Sequence, residues 1–353
     1  MKLFRTTIGA IALIISECII LPFQIIAVLI VAHHMITVSA RLNTSMSALK
    51  ILEGRLLMHW FGLRNDPYSL GVAKHLPNYA VKSLLVAIFP LFVFYYVAGW
   101  SLIRIPRRGD EVFKELVYSR TEIYDEIMKA WCTKMKKDGY KAQFVHLGAG
   151  YDTRSLHLER FDFQGKRFEV DHARVQTIKR KAYEKSETCR ASAKENITFI
   201  AVDFNKEGDW TQKLLAAGFD PQQPTLMLWE GVTLYLQESA VYKTLAEIRQ
   251  LCQSAPANTC VLLTGLYSTQ LIDCTYDPKL KKSQKILAKT GEAWTWGLPF
   301  ASNAEWEKVL RKFVVGTGFE LGAYAGLGSN NPKGPYLVCT EMIVPGESSL
   351  PIS

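Results

Sequence analysis

Gln143-Phe-Val-His-Leu-Gly-Ala-Gly-Tyr-Asp-Thr-Arg154 reads as a buried strand, a glycine turn and a polar helix start. Gly148 and Gly150 remove side chains where the backbone turns sharply, so a ligand can come close to the peptide groups. Asp152 and Thr153 are good N-cap residues for the helix that follows. This is the opening strand–helix turn of a nucleotide-type binding domain. The third glycine of the dinucleotide pattern belongs at position 153, which is Thr, and that absence begins to set the turn apart from a dinucleotide site.

Outward from this turn, strand and helix patterns alternate. Strands are expected at 142–147, 166–170, 197–202, 225–229 and 259–265, with helices at 112–136, 153–160, 172–187, 209–217 and 237–253. A helix at 303–316 and strands at 319–324 and 335–344 close the chain. Such alternation makes a mostly parallel sheet covered on both faces, and the terminal pair adds an antiparallel edge.

In such sheets ligands bind beyond the carboxyl ends of the strands, where strand order reverses. Three consecutive strand ends carry acids here: Asp171 in Arg167-Phe-Glu-Val-Asp171, Asp203 in Val202-Asp-Phe204, and Glu230 in Trp229-Glu-Gly231. Asp171 can accept both hydroxyl protons of a ribose, and Asp203 an adenine amino group, with Phe204 beside the ring. Each acid alone also reads as the N-cap of the next helix. As a set they suit an adenosyl sulfonium better than the phosphates of a dinucleotide. Arg120, upstream, could hold a carboxylate in a bidentate pair, or could simply partner Asp125. The histidines all lie at or before His172; His146 reads as a packed strand residue, while His172 beside Asp171 and Tyr235 are the acid–base candidates. Trp294, Trp296 and Trp306 could wall an apolar pocket or pack the core.

The first hundred residues are of a different material. No charge occurs over 83–103, nor between Cys18 and Ala40 within the apolar stretch 6–40. Each is long enough for a membrane span, with Pro90 as a kink in the second and Tyr95, Tyr96 and Trp100 as interfacial anchors. Lys2, Arg5 and the run Ile8–Ile15 also fit a signal peptide, but the apolar run outlasts any cleavage point, which favours an anchor. Between the two, Leu49, Leu52, Leu56 and Trp60 share one helical face, with Lys50, Glu53 and Arg55 elsewhere on the wheel. That helix lies on a membrane surface or packs on the globular part. Arg104, Arg107 and Arg108 argue for a cytoplasmic side after the second span, yet so do Arg41, Lys50, Arg55, Arg64, Lys74 and Lys82 before it. Both sets are satisfied only if one apolar segment does not cross. The expected division is a membrane-associated helical region at 1–109 and a catalytic domain at 110–353, on the cytoplasmic side.

Composition narrows the rest. The net charge of +9 comes without a dense basic run, which excludes an evident nucleic-acid platform. Seven dispersed cysteines without CxxC spacing point to reduced thiols. No P-loop, HExxH, GxSxG, EF-hand, zinc pattern or internal repeat occurs, so no metal is expected.

Together, Ser119-Arg-Thr121 with Asp125, Leu147-Gly-Ala-Gly-Tyr-Asp-Thr-Arg154, Phe168-Glu-Val-Asp171, Val202-Asp-Phe204 and Trp229-Glu-Gly-Val-Thr-Leu-Tyr-Leu236 resemble the leucine carboxyl methyltransferase (PPM-type) family, in its bacterial-type branch. The resemblance covers about 115–345. It implies a class I methyltransferase, Rossmann-like α/β fold with a seven-stranded, mostly parallel sheet, and S-adenosyl-L-methionine as cofactor. It implies that Arg120 holds the donor's methionine carboxylate, that the turn Gly148, Gly150 and Asp152 meets its methionine portion, and that Asp171 binds ribose. Asp203 with Phe204 then binds adenine, and Glu230 stands at the edge of the acceptor pocket. The expected reaction is O-methyl transfer to a carboxylate or hydroxyl of a small molecule, lipid or peptide; an NAD-dependent oxidoreductase and a non-catalytic membrane scaffold are the alternatives. Two features depart from the family: Asp171-His-Ala173 lacks its usual proline, and the apolar N-terminal region is outside its core.

Overall fold

The computed structural model describes residues 2–204, 210–289, 291–302 and 304–346, the side chains of 2, 194 and 195 excepted. Its centre is one sheet of strands β1 (Gln143–Leu147), β2 (Arg167–Asp171), β3 (Ile197–Ala201), β4 (Thr225–Trp229), β5 (Val261–Tyr267), β6 (Glu320–Leu327) and β7 (Leu337–Ile343). The order is β3-β2-β1-β4-β5-β7-β6. The first five strands run parallel and β7 is antiparallel to both its neighbours. The sequence dictates both covered faces. Along β1 and β4, Phe144, Leu226 and Leu228 point into one apolar cluster with Tyr124, Met128 and Trp131. The alternate residues Val145, Leu147, Met227 and Trp229 enter the other, with Val241, Leu245 and Ile248. That is the two-residue period of a strand, buried on both sides. Strand order reverses between β1 and β4, which sets a crevice above Leu147 and Trp229.

The helices differ from expectation at their ends. The helix expected over 172–187 stops at Lys185; Ser186 caps a second helix, Glu187–Asn196, by accepting from Cys189 N–H at 3.3 Å. A helix at Leu280–Lys289 was not foreseen. Positions 209 and 303, where two expected helices begin, lie outside the described residues; those helices run Trp210–Ala216 and Trp306–Gly316.

The N-terminal region departs further. A helix runs over Lys2–His33 and continues through a π-turn, His34–Val38, to Leu42. By length and composition it could cross a membrane, and only 17% of its apolar window is buried. The span expected over 83–103, with its kink at Pro90, is a bent pair of helices that together are long and apolar enough for one broken span. Val81–Ala87 and Phe89–Ala98 are separate helices bent by 58°. Pro90 lacks an N–H and its ring would clash with the carbonyl four residues back, so the ladder breaks and Pro90 sits in the first turn of the second piece. This pair runs antiparallel to the first helix: Gln24 Nε2 donates to Ala87 O at 3.0 Å, and Trp100 Nε1 to Thr6 Oγ1 at 3.0 Å.

The helix Met46–Trp60 packs on the globular part. Leu49, Leu52 and Leu56 are fully buried in a cluster shared with Tyr151, Leu156, Val175 and Tyr183. Gly54 allows that closeness; a Cβ there would lie 2.7 Å from Val117 Cγ1. Packing is therefore continuous across the expected 109/110 boundary.

Candidate functional site

Arg120, Gly148, Gly150, Asp152, Asp171, His172, Asp203, Phe204, Glu230 and Tyr235 all line one cavity of about 1130 Å³ above the switch point. The three strand-end acids thus face a shared hollow. Their circumstances within it differ.

Asp171 is held by backbone. Oδ2 accepts from Gly150 N–H at 2.5 Å and Oδ1 from His172 N–H at 2.6 Å. Burial pushes its carboxyl above the usual value, against those two bonds. The glycine turn earns its residues: Gly148 has φ +67° and Gly150 φ +46°. A Cβ on Gly148 would collide with Val232, and one on Gly150 would lie 3.1 Å from Ala48. From below, the turn is fixed by Lys179, whose Nζ meets Glu169 at 2.6 Å and the Ala149 carbonyl at 3.5 Å. Asp203 and Phe204 follow β3, the Phe204 ring beside Trp210 at 6.4 Å.

Glu230 and Asp152, expected to face a ligand, line the cavity and are at the same time paired with arginines. Glu230 Oε1 meets Arg55 Nη2 at 3.0 Å and Arg120 Nε at 2.8 Å, and Oε2 meets Arg154. Asp152 is bridged by Arg55 at 2.8 Å and Arg154 at 2.8 Å. Asp125 pairs with Arg64 at 2.7 Å and Arg154 at 2.9 Å rather than with Arg120, and Arg64 continues to Asp66, which meets His157 at 2.6 Å. Arg55, Arg64, Arg120 and Arg154 balance Asp66, Asp125, Asp152 and Glu230, nearly all buried. Burial alone would raise these carboxyls, but the guanidiniums outweigh it: Asp125 sits at about 2, and Asp152 and Glu230 also fall below their ordinary values. Glu230 is therefore a positioning residue for Arg120. Arg120 also donates from Nη1 to Tyr267 at 2.7 Å, and its guanidinium lies over Gly231.

The acid–base candidates change character. Burial, reinforced by nearby Glu292, raises the Tyr235 hydroxyl far above its usual value, so it stays a phenol at neutral pH. His172 is exposed, and its Nδ1 caps the helix Ala173–Lys185 by accepting from Arg174 N–H at 3.4 Å. His146, read as a core residue, does line the cavity. Burial depresses it to about 3, Nε2 lies 3.6 Å from Asp152, and Nδ1 is buried without a hydrogen-bond partner. Trp294 walls the cavity, one of the two roles its sequence allowed; Trp296 and Trp306 are core.

Sequence reasoning missed Arg55 and Arg64. It set Arg55 on a polar face, whereas it is 1% exposed. No local signal distinguishes it, because its partners lie some hundred and more positions away. Also missed is Glu292, whose carboxylate accepts from Ser45 and Ser47 hydroxyls at 2.5 and 2.8 Å and from two backbone N–H groups at 3.2 and 3.1 Å. It latches the N-terminus of the helix Met46–Trp60, where a negative charge is favoured.

Residues 105–249 match the leucine carboxyl methyltransferase family, which bears out the resemblance read from the sequence. A "Putative S-adenosyl-L-methionine-dependent methyltransferase" of Streptomyces avermitilis is 37% identical over 149 residues, 41% of this chain and 47% of that one. A protein of the same description from Frankia alni is 34% identical over 146 residues, 41% of this chain and 46% of that one. The chain spans about half the length of the curated relatives it matches. Among solved structures, a duf574 family protein from Streptomyces avermitilis gives a TM-score of 0.42 at 12% identity, over 63% of this chain and 82% of that one.

Proposed function

We propose that this chain, with its leucine carboxyl methyltransferase segment at 105–249, is an S-adenosylmethionine-dependent methyltransferase that methylates a carboxylate while resting on a membrane. The observation that carries the donor site is Asp171, at the switch point beside the strained turn Gly148–Gly150, with both its oxygens ordered by backbone N–H groups toward a shared cavity. That arrangement fits an adenosyl ligand: Asp171 for the ribose hydroxyls, Asp203 and Phe204 for adenine, and Arg120 Nη2 for the methionine carboxylate. When bound, the donor supplies a methyl group on a sulfonium already activated for displacement. The protein's share is to orient the acceptor oxygen in line with it. A lone pair on that oxygen forms the new C–O bond as the C–S bond breaks, its electrons passing to sulfur.

The choice of a carboxylate is favoured by the state of the candidate bases, of which His172 lies at the exposed edge with Nδ1 engaged by Arg174 N–H. Tyr235 stays protonated and His146 is a weak base at neutral pH. An oxygen that is already anionic needs no proton removed.

The mode of membrane attachment follows from chain length. Trp100 is bonded to Thr6 at the far tip of the first helix, while Arg108 is bonded to Ser119 and Glu122 on the globular part. The link between them is irregular and carries exposed Arg104 and Arg107. If the first helix crossed a bilayer, this link would have to return through hydrocarbon with unsatisfied backbone and two charges, which lipid forbids. A hairpin resting in one leaflet avoids that cost. Arg55 and Arg64 are internal and drop out of the charge count; exposed Arg41, Lys74, Lys82, Arg104 and Arg107 face the anionic cytoplasmic leaflet.

Titration of the purified chain with S-adenosylmethionine tests the donor site. Saturable binding is expected, weakened about 30-fold or more by Asp171→Asn through loss of charge-assisted bonds; absence of saturable binding overturns it. Cysteines introduced at Leu3 and at Arg104 should both react with an impermeant maleimide from the side that holds the catalytic domain; labelling of Leu3→Cys only from the opposite side overturns the in-leaflet placement.

A further inference from the structure

The cavity is larger than its donor end requires. Its volume, about 1130 Å³, exceeds the roughly 300–1,000 Å³ of most small-molecule sites. Its lining extends from the acids to the N-terminal hairpin, taking in Ile51 and Leu57 of the helix Met46–Trp60, Phe113 and Trp294, and Val31, Met35 and Leu84 of the hairpin. Met35 is 3% exposed and Leu84 6%, so this wall is inside the protein. Val28 and Ile36 also line the cavity, yet are 54% and 41% exposed. Asn43, Lys50, Lys114 and His172, which also line the cavity, are exposed too, so it has an apolar opening at the hairpin beside Val81–Ala87 as well as a polar one. Elsewhere on the hairpin Phe23, Ile26, Leu29, Val86 and Phe89 are exposed as well. Exposed apolar side chains in such number are built to meet lipid or another apolar partner.

We propose that the methyl acceptor is a lipophilic carboxylic acid that enters sideways from the leaflet through this mouth. Its apolar tail lies between Val31, Met35 and Leu84, and its carboxylate reaches the donor end near Tyr235. The proposal rests on the donor reading above. Apolar lining and an apolar rim select the tail, because burying each methylene there gains about 0.8 kcal/mol. The neutral phenol of Tyr235 can donate a hydrogen bond to the carboxylate and so orient it. In the transfer the carboxylate oxygen gains the methyl carbon, the carbon–sulfur pair returns to sulfur, and no proton moves. A neutral methyl ester results, which leaves for the bilayer with no buried charge to desolvate.

Two readouts test this in full-length protein reconstituted in nanodiscs. The first needs no turnover: a palmitate-length fatty acid carrying a diazirine is photolysed and its adducts are mapped. Adducts on Met35, Leu84 and Ile51 are expected, lost about tenfold or more in Ala32→Trp and Ala87→Trp, which plug the mouth. The second is transfer of a labelled methyl group from S-adenosylmethionine to a membrane lipid extract and, separately, to an aqueous extract. Base-labile label in the chloroform phase is expected, suppressed by both tryptophan variants while their S-adenosylmethionine affinity stays within about twofold. Adducts confined to outward residues such as Phe23 and Leu29, label confined to the aqueous extract, or lipid label indifferent to both variants overturns the proposal. Failure of the donor reading itself shows separately, as loss of saturable S-adenosylmethionine binding in the unmodified chain.

Discussion

Replacing Arg55 by methionine removes one guanidinium from the middle of the buried charge network. The arginine is 1% exposed and bridges Asp152 at 2.8 Å and Glu230 at 3.0 Å. Methionine keeps much of the apolar stem, so the loss is electrostatic rather than a cavity. Breaking a buried pair typically costs about 3–5 kcal/mol, because the abandoned charge stays desolvated. Here the abandoned acids keep other partners: Glu230 retains Arg120 and Arg154, and Asp152 retains Arg154. The lower end applies, about 3 kcal/mol, and in a domain of this size that lowers the melting temperature by about 6–10 °C. Lys50→Met is the control. It sits on the same helix with its side chain 61% exposed, bonded only to Glu53, and should change stability by less than about 0.5 kcal/mol. Thermal unfolding in detergent, followed by tryptophan fluorescence, measures both. If Arg55→Met melts no lower than Lys50→Met, the helix Met46–Trp60 is a loose attachment and its place at the heart of the site is wrong.

Three further outcomes are expected. Gly148→Ala forces a Cβ into a φ of +67° and onto Val232, and should destabilise by about 2 kcal/mol or more; adding Val232→Ala should recover the steric part in denaturant titrations but not the backbone part, and full recovery or none contradicts the geometry. His146 is held down to about 3 by burial, while an unfolded histidine titrates near about 6.5. The unfolded chain then binds more protons below that value, so stability falls as pH drops from about 6.5 toward 3, at up to about 1.4 kcal/mol per pH unit. His146→Asn should flatten the upper part of that limb in melting curves taken from pH 7 to 5; a parallel curve refutes the burial argument. Asp125, at about 2, acts in the other sense and lower down, its contribution present above the unfolded value and lost as pH falls from about 4 through 2. Asp125→Asn should therefore lower stability at pH 7 and lessen the loss below pH 4, and equal melting temperatures at pH 7 would refute it.

Much of the catalytic half was legible because its determinants are local in sequence. A strand followed by Gly-x-Gly states its own turn, and an acid just after a strand lands at the carboxyl edge whatever the rest of the chain does. That is why the residue pattern alone brings Asp171, Asp203 and Glu230 around one crevice. What could not be read is which charges cancel. Glu230 and Asp152 carry the same sequence signature as Asp171, a carboxylate after a strand or turn. Yet Asp171 is left to backbone N–H groups and the cavity, while the other two are consumed by arginines. Arg55 looked like a solvated residue of an amphipathic wheel because a buried pair needs both partners in view. Similarly, the 83–103 run has the composition of a span, but only the placement of Trp100 against Thr6 shows that it pairs antiparallel with the first helix.

These misreadings share one physical cause, and it bears on how the molecule works. An apolar N-terminal segment is usually a tether, whose sequence matters only for its affinity to lipid. Here the segment that follows the first helix supplies Arg55, Arg64, Asp66 and the Ala48 that roofs the glycine turn. Glu292, from the far end of the chain, pins that roof by its helix N-terminus. Four guanidiniums and four carboxylates cannot be left half assembled at low dielectric, since each unpaired charge costs several kcal/mol. The roof is therefore folded onto the domain whenever the network exists, and Ala48 and Arg55 form part of the cavity wall beside the glycine turn. On the route proposed above, a lipophilic acid would pass beside this roof, where the hairpin presents its exposed apolar side chains.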